Sequence, residues 1–268
     1  MVFHIISVQL WPNSYFMHFY RKFYRTILSA KYKFVVVGEE VVSNNDPKLY
    51  LPNHISHIDP QIMAIEIYKH NDFVPLVAER FFKIPVIKFF LRNLHAIKIP
   101  DFKKGSRDPL LMQKINKQLV SALESNKSAL IFPSGQLSSG GVERVFNKQS
   151  AHSVVSIMPD QAKVIGVRIK GLWGSMWSKS WNGKRPIFLK TFLIALVYYF
   201  ANLVVLNPRR TITIEFVDIT KEAKEKATLG RKPFNEFLEG FYNTDGPENP
   251  TFVRHLFFFP KIKKKVLE

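Results

Sequence analysis

The 268-residue chain contains no cysteine, which excludes disulfides, thiolate metal sites and a cysteine nucleophile. It is also poor in acids: 21 Asp and Glu stand against 39 Lys and Arg, for a formal net charge of +18. That imbalance favours a polyanionic partner, whether phospholipid head groups, an acidic carrier protein or nucleic acid. No nucleic-acid module is recognisable and the basic residues are dispersed, so a nucleic-acid partner is not expected. The first 25 residues lack a basic start followed by an unbroken apolar run, because Gln9, Pro12, Asn13 and Ser14 interrupt it. A cleaved secretory signal is therefore not expected, and the protein is expected inside the cell. No internal repeat or low-complexity linker divides the chain, and its length suits one large α/β domain.

What the chain has in excess is aromatic residues, 14% of the total with 24 Phe, many of them outside strand-like segments. Phe16, Phe19, Tyr20, Phe23 and Ile27 recur every three or four residues and give one apolar helical face, with Arg21, Lys22 and Arg25 mainly elsewhere around the turn. Such a helix either lies in a lipid interface or packs on its own domain. Residues 187–206 are apolar apart from Lys190, Thr191 and Asn202, enough for about 30 Å of helix. Basic residues flank both ends of that run and set no orientation. The strand-like TITIEFV that follows must share a side with the other strands, which favours a shallowly embedded or domain-packed helix over a span.

Strand-like runs recur at 34–38, 48–52, 73–79, 95–99, 129–133, 163–169 and 211–217. Helical patterns lie between several of them, at about 60–70, 83–93, 107–126 and 144–157. This alternation predicts an α/β fold, a single domain with a mostly parallel central sheet flanked by helices. Ligands of such sheets sit beyond the carboxyl ends of strands. Two unusual segments occupy those places, LPNHISHIDP at 51–60 and IFPSGQLSSGG at 131–141.

In the first, His54 and Asp59 frame an H-x-x-x-x-D pattern. A histidine near neutral pH can take a proton from a hydroxyl, and a carboxylate can fix its tautomer and stabilise the imidazolium. On an ideal helix the two would stand roughly 140° apart, so they meet only if the chain turns between them. Pro60 favours such a turn, with Asp59 as the N-cap of the following helix and Pro60 as its first residue. Capping is also the plain structural reading of Asp59. His57 reads as a turn histidine or as a hydrogen-bond donor supporting the turn, the residue of this stretch expected to matter least, and no third ligand completes a metal site. In the second segment, Gly and Ser offer backbone N–H groups to an anion, yet they also mark turns that bind nothing.

The order and spacing of these segments resemble the glycerolipid acyltransferases of the lysophosphatidic acid acyltransferase superfamily. NHISHID is similar to the family's N-H-x-S-x-x-D at Asn53, His54, Ser56 and Asp59. AERFFKIPVIKFFLRNLHAIKI, LIFPSGQLS and KVIGVRIKGLWGS resemble the next three blocks in order, so that the match covers about residues 34–175. The tail, including FLEGFYNTDGPENPTFVRHLFFFP, looks most like domains of the 2-acylglycerophosphoethanolamine acyltransferase type. The chain is thus expected to divide into the N-terminal interface helix over 1–30, read from its spacing, and an acyltransferase domain over 31–268, the latter including the 187–206 helix and a C-terminal tail from 220.

The resemblance implies acyl transfer from an acyl carrier protein or coenzyme A thioester to a lysolipid hydroxyl by direct attack. His54 would be the base and Asp59 its orienting partner, with no acyl-enzyme, no metal and no cofactor beyond the thioester co-substrate. Asn53 and Ser56 would support the loop, and Phe132, Pro133, Ser134, Gly135 and Gln136 would face the acceptor. Membrane phospholipids would be a partner, with the protein at the cytoplasmic face of the inner membrane. The third block departs from the family's F-P-E-G-T-R-S: Ser134 replaces Glu, Gln136 replaces Thr and Leu137 replaces Arg. Those family side chains contribute to holding the acceptor's glycerol phosphate, and Asp101 stands near another place where Arg is frequent. A phosphate monoester acceptor is thus disfavoured, because no arginine fork remains at 137. Lys103, Lys104, Arg107 and Lys148 either supply positive charge to a head group instead or are plain solvated surface cations. The alternative implied by the altered block is an inactive relative that binds lipid or an acidic carrier.

Overall fold

A strand buried on both faces must be apolar along its interior positions, and KLYLP at 48–52 meets that demand after Lys48, whose ammonium donates to Asn44 O and Asp46 O, with Leu49 and Leu51 on one face and Tyr50 on the other. The computed structural model describes residues 14–101, 108–181, 183–201 and 209–253. Among them, seven strands form one sheet. These are β1 (Tyr32–Val37), β2 (Lys48–Pro52), β3 (Phe73–Ala78), β4 (Ile97–Ile99), β5 (Ser128–Leu130), β6 (Lys163–Lys170) and β7 (Arg210–Asp218). Their spatial order is β1-β7-β6-β2-β5-β3-β4. All neighbouring pairs are parallel except β6 and β7, so β1 and β7 run against the other five. The α/β class and mostly parallel sheet expected from the alternation are what the chain forms.

Eight α-helices accompany the sheet in the described residues: α1 (Ser14–Ser29), α2 (Asp59–Ile67), α3 (Pro85–Asn93), α4 (Pro109–Glu124), α5 (Ser150–Val155), α6 (Phe188–Ala201), α7 (Thr220–Thr228) and α8 (Arg231–Tyr242). Ile62, Met63, Ile65 and Ile67 of α2 cover one face with Tyr50, Ile165, Val167 and Ile214 of the strands. The other face packs Leu49, Leu51 and Val164 against α4, α5, α7 and α8, through Leu119, Leu123, Val154, Ala223, Phe234 and Leu238. Burial of these side chains contributes roughly 1.5–3 kcal/mol each and fixes which strand ends lie side by side.

Three expectations change. The helix read over 144–157 shrinks to the six residues of α5, because Val145 N–H and Phe146 N–H donate to Glu239 Oε1 of α8 at 2.7 and 2.8 Å. Phe146 takes a positive φ of 51° there, which no helix tolerates. The tail from 220 holds two helices that the hydrophobic pattern did not announce. Of the apolar face expected on α1, Phe23 and Ile27 have described side chains, and both point outward, 54% and 41% exposed. Tyr24 and Leu28 pack inward in their place, so the Phe23–Ile27 strip is not the face that holds the helix to its domain.

The helix expected at 187–206 is described as α6 up to Ala201, and its continuation from 202 lies outside the described residues. Its 14 residues make about 21 Å of helix. No described helix is long and apolar enough to cross a membrane. Phe188 and Ala195 pack on the core, while Leu189, Leu193, Val197 and Phe200 are exposed.

Candidate active site

β2 and β5 are neighbours in the sheet, so the turn after β2 and the loop after β5 emerge side by side. The β2 turn is tied down first by Asn53, which is buried. Its side-chain amide donates to Ile169 O at 3.0 Å, and its Oδ1 accepts Ile169 N–H at 2.7 Å. Asn53 thereby completes one more rung between β2 and β6. The next residue, His54, is then directed out of the sheet edge.

Asp59 reaches back to meet it. Its Oδ2 lies 3.0 Å from His54 Nδ1 and accepts Ser56 N–H at 2.7 Å, while its Oδ1 accepts Ser56 Oγ–H at 2.5 Å. The carboxylate is fully buried. This corrects the capping expectation. Asp59 is the first residue of α2 and makes no cap bond; Ile58 occupies the N-cap position. The carboxylate closes the turn that precedes the helix. In a neutral imidazole, a carboxylate at Nδ1 places the proton on that nitrogen and leaves Nε2 its lone pair. The His54 side chain retains 16% exposure, enough for an outside group to reach it.

The loop after β5 supports the other side of the imidazole. Phe132 packs on the ring with centroids 4.4 Å apart. Pro133 and Ser134 are buried, and Gly135 makes the turn with φ 57°. Ser134 Oγ–H donates to Gln136 O at 2.9 Å. Leu137, at the family's arginine position, is 1% exposed and belongs to the interior. Ser138 then returns to the histidine, its N–H and Oγ–H donating to His54 O at 2.6 and 3.0 Å.

A match to known proteins can now be set beside this geometry. The acyltransferase family profile covers residues 33–170, just over half of the chain and both loops. The chain belongs to the acyltransferase family. No curated protein matches it significantly. Its fold is similar to the crystal structure of the 1-acyl-sn-glycerophosphate (LPA) acyltransferase PlsC from Thermotoga maritima, with a TM-score of 0.52 and 16% identity. That similarity covers 86% of this chain and 78% of the other; at such identity what is shared is the architecture.

Within this acyltransferase, three residues near the motif do more than sequence reasoning assigned to them. Glu143 is buried, 3% exposed. Its Oε2 accepts His54 N–H at 3.1 Å and the Ser138 hydroxyl. Its own backbone is clamped by Asn243 beyond α8, which accepts the Glu143 N–H at 2.9 Å and donates to its carbonyl at 2.8 Å. Burial pushes the Glu143 carboxyl up, opposed by the hydroxyls of Ser134 and Ser138 and by the His54 amide. A signal existed: Glu143 is the one acid between Glu124 and Asp160, set just after a Gly-Gly turn.

His57 is the second. Its ring is pushed down to about 4, first by burial, so it is neutral, and Nε2–H donates to Pro186 O at 2.9 Å. Phe188, the first residue of α6, meets it edge-on. The residue expected to matter least thus fastens α6 to the motif turn. The third is Lys179, whose Nζ–H donates to Leu137 O at 2.6 Å, placing a cation on the altered loop.

Of the cations expected to serve a head group, Lys103, Lys104 and Arg107 lie outside the described residues. Lys148 sits in the turn before α5, where its carbonyl accepts from Asn235 of α8. Asp101 pairs with Arg80, at 2.7 Å from NH1 and 3.0 Å from the backbone N–H.

Proposed function

We propose that this acyltransferase moves a fatty acyl group from an acyl carrier protein or coenzyme A thioester to the hydroxyl of a lysophospholipid, working on a membrane surface. The observation that carries this reading is the His54 Nδ1–Asp59 Oδ2 contact of 3.0 Å, made by a carboxylate that Ser56 also holds. Nε2 takes the proton of the acceptor hydroxyl as its oxygen bonds to the thioester carbonyl carbon. Asp59 stabilises the imidazolium that results. When the C–S bond breaks, the imidazolium returns that proton to the leaving sulfur, so His54 ends as it began. The step needs no acyl-enzyme and no cofactor beyond the thioester itself.

The acceptor is better a phosphodiester than a free phosphate. Leu137 is interior and offers no fork to a dianion, whereas Lys179 at the same loop suits a single charge. Phe132, Pro133, Ser134, Gly135 and Gln136 border the acceptor, with Lys148 as a further cation for its head group. Exposed apolar side chains on α6 and on the Phe23–Ile27 strip support a membrane surface, which we place at the cytoplasmic face of the inner membrane.

The test is to incubate purified protein with labelled acyl carrier protein or acyl coenzyme A and a panel of lysolipids, and to identify products by mass. Product should form with the wild type and vanish in His54→Ala, with thermal unfolding unchanged. Turnover in His54→Ala equal to wild type removes the base from the mechanism. Vesicle binding without any transfer selects the inactive-relative reading that the altered FPSGQL segment raises.

A further inference from the structure

One face of α1 borders an open basin of about 900 Å3 that shares no lining residue with the His54 site. Arg21, Lys22, Arg25, Lys69 and Arg209 line it, and no acid does. Two of these cations are already served. The buried Glu66 pairs with Arg25 at 2.9 Å and with Lys69. Arg21, Lys22 and Arg209 have no carboxylate within ion-pair distance among the described residues. Three like charges held around one depression repel each other unless an anion from outside joins them. The volume is of the order that holds a drug-sized molecule, about 300–1,000 Å3, rather than a lone ion.

What kind of anion follows from the rest of the helix. Phe23 and Ile27 stand exposed on α1, and Phe23 follows Lys22 by about 100° around the axis. A soluble acidic protein would meet the cations but has no use for an adjoining exposed aromatic and branched aliphatic strip. A lipid interface takes both, the apolar side chains among the acyl chains and the guanidinium groups on phosphodiesters. We propose that the Arg21–Lys22–Arg209 basin docks the head groups of anionic phospholipids in a bilayer. This rests on the membrane-surface part of the proposed function, to which it adds the lipid charge and the residues that read it, and it stands whether or not His54 is the base.

The test uses the full chain in vesicle flotation, with phosphatidylcholine alone or with about 30% phosphatidylglycerol. A basic residue near an anionic surface is worth roughly fivefold in partition, so replacing three costs about 100-fold. The wild type should prefer the anionic vesicles and release them as salt rises. Arg21→Gln/Lys22→Gln/Arg209→Gln should lose about two orders of magnitude on anionic vesicles and nothing on neutral ones. Lys22→Glu, a single reversal on an exposed side chain, should lose at least fivefold and guards against a triple variant that folds poorly. Wild-type partition in Lys22→Glu, or no preference of the wild type for anionic vesicles, overturns the proposal. So does a triple variant that keeps its vesicle binding while losing affinity for an acidic carrier protein. Flotation needs no turnover, so its failure and that of the acyl-transfer reading are told apart.

Discussion

Replacing Glu143 separates the position of His54 from its chemistry. In Glu143→Ala the His54 N–H loses its acceptor in the interior, whereas the Ser138 hydroxyl keeps His54 O at 3.0 Å. A buried donor left unpaired costs about 1–3 kcal/mol, so the variant should lose about that much in urea unfolding. The catalytic loss should be larger than the stability loss implies, because the freed turn lets the imidazole wander from Asp59. A misplacement of about 1 Å is worth roughly 100-fold in rate, expressed in kcat with the acceptor KM little changed. Glu143→Gln keeps an oxygen at the same place and should stay within about 1 kcal/mol and threefold of the wild type. Since burial already pushes the carboxyl up, loss of its ionisation is well tolerated. The assay is acyl transfer at saturating thioester with varied lysolipid, run beside urea melts. Wild-type kcat in Glu143→Ala, or a Gln variant as impaired as Ala, would refute the argument that this side chain acts by holding the His54 amide.

Other outcomes follow from the same geometry. Asp59→Asn should lower turnover by about 10²–10⁴-fold with the fold kept, and Asp59→Ala should also cost about 3 kcal/mol, since Ser56 N–H and Oγ lose a charged acceptor; wild-type kcat in Asp59→Asn, read by the same transfer assay, sinks its orienting role. His57, held down to about 4 in the folded state against about 6.5 unfolded, binds fewer protons folded than unfolded. Its contribution is full above about pH 6.5 and is lost as pH falls toward 4, by about 2 kcal/mol between pH 7 and 5. Paired urea melts at those two pH values should show this in the wild type and a flatter response in His57→Asn; equal slopes would be against it. Leu137→Arg, which restores the family's residue, should unfold the loop or the protein, because position 137 is interior. Wild-type melting together with new activity on lysophosphatidic acid would show that side chain turning outward instead.

The strands were legible because each is a short apolar or alternating run, and β2 and β6 match their expected bounds almost residue for residue. Their order was not, because neighbours such as β2 and β5 are distant in sequence and pair through contacts no local pattern encodes. The antiparallel insertion of β7 between β1 and β6 is of the same kind. Helix α7 escaped notice since its buried face consists of Ala223 and Ala227, four apart in an otherwise charged segment. In the motif, the residue types pointed to the right turn and to the His54–Asp59 contact, and only the cap was misplaced. A carboxylate before proline reads as a cap; here the Ser56 N–H and hydroxyl compete for it from the other side.

The altered third block also takes on a different meaning once its neighbours are placed. At the family's glutamate position stands Ser134, and the carboxylate whose ionisation its hydroxyl supports arrives from Glu143, nine residues later in the chain. At the family's arginine position stands Leu137, turned into the core. Both charges of the F-P-E-G-T-R segment are gone from their usual places, yet the backbone of His54 is held at both its N–H and its carbonyl, by Glu143 and Ser138. The change therefore falls on what the loop can offer an acceptor, and leaves intact what the loop does for the imidazole. That favours an enzyme with a different head-group preference over a relative that has lost its chemistry, and it makes the Lys179 side of the loop the place where that preference should be sought.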